Sequence, residues 1–245
     1  MKLKNKNRFY KLSYFLRKLY SLKLLSFFLS ENFLRKKIFK YIFLSGYWLD
    51  YNTDENQSRS GRGSNINQSL YLKKELKLFF EKNNVKNILD IGCGDFKWMS
   101  SLLKEVDYDS YLGIDIVDKL IDNNIRNYET DKIQFLQKDI VNEEIENLKK
   151  FDFILVRHVF IHLKNSNINK VIDKIKKLDF NFFCVTSDPK ILHNSDLKTE
   201  GRYRDVNLLI SPFFLENCYK TIKVPVHTNE NYVDLNIYDS NIKFN

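Results

Sequence analysis

Two glycines and two carboxylates stand where strand-like apolar runs give way to turns, and together they could hold a nucleoside. The run at residues 88–91 leads into Gly92 and Gly94, and glycines there let the backbone approach a ligand closely. Asp115 follows Gly94 by 21 residues and ends the next run, where a carboxylate can accept both ribose hydroxyls of an adenosyl ligand. Asp139 ends the third run, in a place suited to the adenine amino group. The order and spacing of these residues predict an adenosyl-binding site.

Basic side chains follow the fourth apolar run, beside the place where a second substrate would meet such a ligand. Arg157 comes directly after Phe153–Val156, and His162 lies a few residues further on. Histidine is the usual side chain for removing a proton from an attacking hydroxyl or amine. We therefore predict His162 and Arg157 as catalytic residues. The structural alternatives are a histidine packed on a helix and an arginine in a local salt bridge.

Two short polar segments concentrate arginine and could bind an anion such as phosphate. The first, at 58–64, reads Ser-Arg-Ser-Gly-Arg-Gly-Ser, and the second, at 201–208, follows the fifth apolar run. Guanidinium groups match phosphate geometry with paired hydrogen bonds, although solvated loops are the alternative. The predicted substrate-binding residues are Arg59, Arg62, Lys97, Trp98, His158, His162, Tyr203, Arg204 and Asn207.

Alternating strands and helices must position these residues. Strand-like runs occupy residues 87–91, 111–116, 133–136, 151–156, 180–186 and 219–224, and a final run at 232–238 alternates apolar with polar residues. Helical stretches lie near 70–82, 96–105, 118–127, 142–149 and 164–178. This rhythm predicts an α/β fold with a mostly parallel sheet and helices on both faces, which binds ligands at the carboxyl ends of its strands.

The charge of the chain is distributed unevenly, and its composition excludes several classes of protein. The net charge is +9 over 245 residues, but residues 1–45 carry twelve Lys and Arg against one acid. The remaining residues carry 28 basic and 30 acidic side chains, so no general nucleic-acid surface is expected. Three scattered cysteines without a Cys-x-x-Cys pair argue against a disulfide framework and against a metal site. A reducing, cytoplasmic location fits best.

The basic segment at 1–45 predicts two short helices with aromatic faces. Its longest apolar-leaning stretch, Leu19–Leu29, is only 11 residues long and contains Lys23, whereas a membrane span needs about 20 apolar residues. No small-residue cleavage site follows it, so a signal peptide is not expected. Three roles stay open: a cap on its own domain, a dimer arm, or peripheral binding to an anionic membrane at its inner face. We divide the chain into this extension, a loop and capping helix at 46–80, and a ligand-binding domain at 81–245.

Three motifs resemble those of a known superfamily. Residues 89–95 (Leu-Asp-Ile-Gly-Cys-Gly-Asp), 113–115 (Gly-Ile-Asp) and 137–140 (Gln-Lys-Asp-Ile) resemble motifs I to III of class I S-adenosylmethionine (SAM)-dependent methyltransferases. The resemblance covers residues 81–240 and implies a Rossmann-like, seven-stranded sheet with an antiparallel last strand. It also implies SAM as cofactor and S-adenosylhomocysteine (SAH) as product. The implied cofactor-binding residues are Asp90, Gly92, Cys93, Gly94, Asp115, Ile116, Asp139, Ile140 and Arg157.

A narrower resemblance suggests a class of acceptor. Residues 58–64, 93–99, 115–117, 157–163 and 201–208 are similar to methyltransferases of bacterial surface-polysaccharide gene clusters, some linked to O-methyl phosphoramidate decoration of a capsule. This similarity implies methylation of an oxygen on a small phosphorylated precursor. A monomer and a homodimer are both open for the chain itself. Two alternatives remain: a methyltransferase of membrane lipids or quinones, and a catalytically inactive SAM-fold subunit.

Overall fold

The structure is a computed structural model that describes residues 31–48, 60, 66–145, 150–226 and 228–244. The first 30 residues of the basic extension therefore lie outside the described residues. So do most residues of the 58–64 segment, including the predicted anion ligands Arg59 and Arg62.

Helices and strands alternate through the chain. The helices are α1 (Glu31–Ser45), α2 (Ile66–Asn83), α3 (Lys97–Leu103), α4 (Asp118–Tyr128), a short 3₁₀ helix (Phe160–His162) and α5 (Asn165–Ile175). The strands are β1 (Asn87–Ile91), β2 (Ser110–Asp115), β3 (Ile133–Gln137), β4 (Phe151–Val156), β5 (Phe180–Ser187), β6 (Leu215–Val226) and β7 (Thr228–Phe244).

Seven strands form one sheet in the order β3-β2-β1-β4-β5-β7-β6. The pairs among β1 to β5 are parallel, whereas β7 runs antiparallel to both β5 and β6. The predicted fold is thereby confirmed, including the antiparallel last strand. The parallel arrangement brings the carboxyl ends of β1 to β5 to the same edge of the sheet.

The middle strands are buried on both faces because helices cover each side. On β4, Phe153 and Leu155 belong to a core cluster with residues of α2, α3 and α4, such as Leu76. The alternate residues Ile154 and Val156 belong to a second cluster with residues of α5. Such two-sided burial explains why the central strands read as continuous apolar runs in the sequence.

The predicted helix at 142–149 is wrong for the residues that the structure describes. Residues 141–145 form turns, because the carbonyl of Asp139 accepts the N–H groups of both Asn142 and Glu143 (3.0 and 2.8 Å). The side chain of Glu143 turns back to accept the N–H of Asp139 at 3.0 Å and pairs with Lys36 of α1. These local bonds close a turn directly after β3.

Helix α1 packs on the carboxyl edge of its own domain. Leu34, Ile38 and Ile42 form a small buried cluster against which Trp48 packs. The helix approaches the loop after β5 so closely that a Cβ added to Gly201 would lie 2.6 Å from Ile42 Cδ1. The described part of the extension therefore contacts the domain. Within the described residues, no helix is both long and apolar enough to cross a membrane.

Candidate active site

A cleft lies at the carboxyl ends of the strands, beneath α1, and encloses about 870 Å³ of empty space, part of which is open solvent. Among the sequence-predicted residues, those that line it are Gly92, Gly94, Asp115, Ile116, Asp139, Ile140, Arg157, His158 and His162. Residues from four separate strand ends therefore share one cavity, as the sequence predicted.

The glycine turn after β1 requires both of its glycines. Gly92 and Gly94 have φ values of +76° and +59°, a region that favours glycine. A Cβ on Gly92 would lie 2.3 Å from Val159 Cγ2, and one on Gly94 would lie 2.7 Å from Ser60 Oγ. Ser60 also accepts the N–H of Asp95 at 2.9 Å. At this described position, the 58–64 segment therefore lies directly on the glycine turn.

Asp115, at the end of β2, is oriented by backbone donors. Its two carboxylate oxygens accept the N–H groups of Gly94 and Val117, at 3.2 and 3.0 Å. Burial raises the pKa of Asp115 above its usual value, and these two hydrogen bonds oppose the shift. Since each carboxylate oxygen can accept two hydrogen bonds, Asp115 keeps the capacity to accept two ribose hydroxyls. This geometry fits an adenosyl ligand.

Asp90 and Trp98 support Arg157 from behind the cleft. Asp90 accepts a hydrogen bond from the hydroxyl of Tyr111 at 2.9 Å. Burial raises the pKa of Asp90 to about 7, against the effects of Tyr111 and of the Arg157 charge. The Arg157 guanidinium lies 4.9 Å from the centre of the Trp98 ring, and burial lowers the pKa of Arg157 to about 10.

Not all of the predicted cofactor and substrate residues reach the cleft. Seven of the predicted residues that the structure describes do not line the cleft. Three of these are buried in or next to the turn between β1 and α3: Asp90, Cys93 and Trp98. The other four belong to α3 or to the segment after β5: Lys97, Tyr203, Arg204 and Asn207. Cys93 packs near Gly113, where an added Cβ would lie 3.0 Å from its sulfur. Direct contact of Asp90, Cys93 and Trp98 with a ligand remains a prediction.

Asp139 is engaged by a residue that sequence reasoning did not single out. Arg35, on α1, donates from Nη1 to Asp139 at 2.8 Å and from Nε to Glu200 at 2.6 Å. All three side chains are at most 1% exposed. The available signal was an arginine within the apolar stripe of Leu34, Ile38 and Ile42, where α1 would otherwise bury only hydrophobic side chains.

His162 is held in one tautomer and one orientation. Its Nδ1 lies 2.9 Å from the carbonyl oxygen of Arg202, which can only accept, so Nδ1 carries the proton and Nε2 carries the lone pair. The ring stacks on Trp48 with centroids 4.3 Å apart, and the edge of Phe39 approaches it at 6.5 Å. Burial lowers the pKa of His162 to about 4, so the ring is neutral at pH 7. A neutral imidazole with a free Nε2 lone pair is competent as a base.

The segment after β5 contributes less to the cleft than the sequence suggested. Arg204 donates from Nη2 to the carbonyl of Leu163 and to Asn165, at 2.9 and 2.6 Å. Asn207 is buried, and its side chain donates to the carbonyl of Ile191 at 2.9 Å. These bonds fasten the segment to its own surroundings.

Three further predicted substrate residues take different positions. His158 lines the cleft, has a φ of +56°, and donates its N–H to Thr186 at 3.0 Å. Tyr203 is exposed, donates its hydroxyl to Asp205, and keeps its ring 6.4 Å from that of His162. Lys97 is the first residue of α3. The described residues that line the cleft do not include Lys97, Tyr203, Arg204 or Asn207.

Several solved structures share this fold. Magnesium protoporphyrin IX methyltransferase (ChlM) from Synechocystis PCC 6803 with bound SAM has a TM-score of 0.55 and 15% identity, covering 85% of this chain and 96% of its own. The N-methyltransferase NodS from Bradyrhizobium japonicum WM9 in complex with SAH has a TM-score of 0.54 and 16% identity, covering 73% and 90%. The methyltransferase domain of bacterial CtHen1-CN gives 0.53 and 16%, covering 71% and 100%. No curated protein sequence matches significantly.

The sequence itself identifies the family. Residues 65–205, more than half of the chain, match the family model described as "Methyltransferase domain", so the chain belongs to this family. The cleft agrees with the cofactor that this family implies, because the glycine turn and Asp115 meet at its floor. The protein is a SAM-dependent methyltransferase.

Proposed function

We propose that the protein transfers a methyl group to a hydroxyl oxygen of a small, phosphorylated precursor of a bacterial surface polysaccharide. The observation that supports an acceptor with a proton to lose is the neutral His162, whose Nε2 lone pair belongs to a cleft-lining ring. The choice of a hydroxyl over an amine rests on the resemblance to methyltransferases linked to O-methyl decoration. A hydroxyl loses its proton during attack, so it needs such a base, whereas an anionic phosphate oxygen does not. The precursor class is supported by the resemblance of five segments to enzymes of polysaccharide gene clusters.

The chain's own residues then align the acceptor and receive its proton. Bound SAM supplies a sulfonium methyl group that is already activated for displacement. His162 accepts the hydroxyl proton at Nε2, and its Nδ1–H bond to the Arg202 carbonyl stabilises the charge that the ring gains. Helix α1 supplies Phe39, which together with Trp48 limits the access of water to this ring.

The phosphate of the acceptor would be held by arginines of the two polar segments. Arg59 and Arg62 belong to the segment whose Ser60 lies on the glycine turn, and Arg202 adjoins His162 through its carbonyl. Arg204 was predicted for the same task, but its bonds to Leu163 and Asn165 favour a role in fastening the loop. We therefore assign the anion to Arg59, Arg62 and Arg202.

A quinone or other membrane-lipid acceptor is the second candidate. It is favoured by the aromatic side chains that α1 and the following turn bring to the cleft, namely Phe39, Phe43 and Trp48. Such a lining excludes water and would also suit a flat apolar ring. This candidate also agrees with a basic segment that contacts a membrane surface.

Methyl-transfer assays with labelled SAM separate the candidates. We expect turnover with sugar phosphates or nucleotide-activated sugars that carry free hydroxyls, and little with the matching dephosphorylated sugars. A His162→Gln variant should lose turnover and keep SAH affinity. Turnover of quinones but not of phosphorylated sugars would support the second candidate. Equal turnover of a sugar and its phosphate would contradict the phosphate assignment and leave the hydroxyl assignment intact.

A further inference from the structure

Arg35 has an unused donor at the edge of the cleft. Its guanidinium is 1% exposed, and it lines the cleft together with Asp139. Nε and Nη1 are bonded to Glu200 and Asp139, but Nη2 has no hydrogen-bond partner among the described residues. Buried donors are nearly always paired, because an unmade bond in the interior is costly. The unpaired Nη2 therefore indicates a partner outside the described residues, and a ligand in the cleft that Arg35 lines is one.

The sheet register shows which part of a bound nucleoside lies beside Arg35. Asp115 pairs with Gln137 across β2 and β3, and Asp139 follows Gln137 by two residues. A nucleoside with its ribose on Asp115 consequently has its base directed toward the end of β3. There, Ile116 and Ile140 line the cleft beside Asp139. This is an apolar slot with a charged pair at its end.

That charged pair presents an acceptor next to a donor. Among the described residues, Asp139 Oδ1 accepts only the Val141 N–H, at 3.1 Å, so it can accept another hydrogen bond. Arg35 Nη2 carries two N–H groups, and the two side chains are joined at 2.8 Å. Adenine offers the complementary pair on one edge, with its amino donor beside the N1 acceptor.

We propose that Arg35 is a cofactor-binding residue that donates from Nη2 to adenine N1, while Asp139 accepts from the adenine amino group. Helix α1 is then part of the cofactor site as well as a cover over it. The proposal depends on the SAM-binding fold and is independent of the acceptor proposed above.

Calorimetry with SAH and with its 1-deaza analogue, in which ring N1 is replaced by C–H, tests the contact. The wild type should bind the analogue about 10-fold more weakly than SAH, as expected for one lost hydrogen bond to a charged group. Arg35→Lys keeps a cation between Asp139 and Glu200 but has no nitrogen at the position of Nη2. It should bind SAH about 10-fold more weakly and should no longer distinguish the two ligands.

The neighbouring residue provides a matched control. Lys36 lies on the same helix, is partly exposed and pairs with Glu143, so Lys36→Ala should keep the wild-type preference for SAH. A preference of equal size in the wild type and in Arg35→Lys would overturn the proposal, and so would a wild type that shows no preference. Should Arg35→Lys fail to fold, hydrogen exchange in the wild type decides the matter. SAH must then protect α1 more strongly than the analogue does, and equal protection overturns the proposal.

Discussion

At the scale of single residues, Asp115 accepts a hydrogen bond from the glycine turn and lines the cleft where we predict the ribose. Its two oxygens each accept one backbone N–H group, which fixes the orientation of the carboxylate. The remaining lone pairs are left to accept the ribose hydroxyls. We expect Asp115→Ala to weaken SAH binding by about 1–3 kcal/mol through the loss of charge-assisted hydrogen bonds. Calorimetry measures the change. Asp122→Ala, an exposed carboxylate on α4, is the control and should bind as the wild type does; unchanged affinity in Asp115→Ala would contradict the ribose assignment.

As the proposed base, His162 should give the enzyme a characteristic pH dependence. Burial lowers its pKa to about 4, so the neutral, base-competent form persists well below the ordinary pKa of histidine, about 6.5. The acidic limb of kcat/KM should therefore fall near pH 4. His162→Gln should lower kcat by about 10²-fold or more with a hydroxyl acceptor.

Trp48 controls this pKa because it covers one face of the imidazole. Trp48→Ala should expose the ring and move the acidic limb upward toward pH 6.5, since water then stabilises the imidazolium. Phe33→Ala, which removes an exposed aromatic ring from α1, should leave the profile unchanged. An NMR titration of the His162 ring measures the pKa without turnover, and an unshifted value in Trp48→Ala would refute the role of Trp48.

At the scale of elements, the sequence predicts the central strands better than the contacts between distant segments. β1 and β4 have the predicted bounds, because both are short apolar runs that end at glycine or at a polar residue. The stretch after β3 was misread as a helix, since its turn depends on bonds to Asp139 and to Lys36 of α1. Local propensity carries no information about such partners.

In the candidate site, too, features set by local sequence were predictable and contacts between distant segments were not. The residues that follow each strand were predictable, because parallel strands bring their carboxyl ends together. The bond of Arg35 to Asp139 spans 104 residues of sequence, and its bond to Glu200 spans 165. No periodicity in the sequence connects these positions. Arg204 is predicted to bind an anion because of its charge and its position in the segment after β5, whereas its actual partners depend on how the loop folds back.

The buried cluster of Arg35, Asp139 and Glu200 fastens α1 to the domain. Arg35→Ala would leave two carboxylates buried without their cation, and we expect a loss of about 3–5 kcal/mol in the free energy of unfolding at pH 7. Urea unfolding measures the loss. Lys37→Ala, on the same helix and packed over the exposed Phe33, should change stability little; a loss below about 1 kcal/mol in Arg35→Ala would contradict this role.

At the scale of the whole molecule, the basic extension divides into two parts. Residues 31–45 form α1, which contacts the sheet edge and the cleft. Residues 1–30 carry eight of the twelve basic side chains of the extension and lie outside the described part of the chain. Of the three roles that the sequence leaves open, a cap agrees with the packing of α1. We predict that membrane contact depends on residues 1–30, which carry most of the basic side chains.

Two truncations separate these roles. A variant lacking residues 1–30 should keep the melting temperature and SAH affinity of the full chain, because every described contact of α1 remains. A variant lacking residues 1–45 should melt at lower temperature and bind SAH more weakly, since it loses Arg35 and exposes the apolar surface under Ile38 and Ile42.

We further expect the full chain to sediment with anionic vesicles at low salt and to be released as salt screens the basic residues, since the rest of the chain has almost no net charge. The variant lacking residues 1–30 should lose most of this binding; if it sediments as the full chain does, the membrane role cannot belong to the basic residues that it lacks.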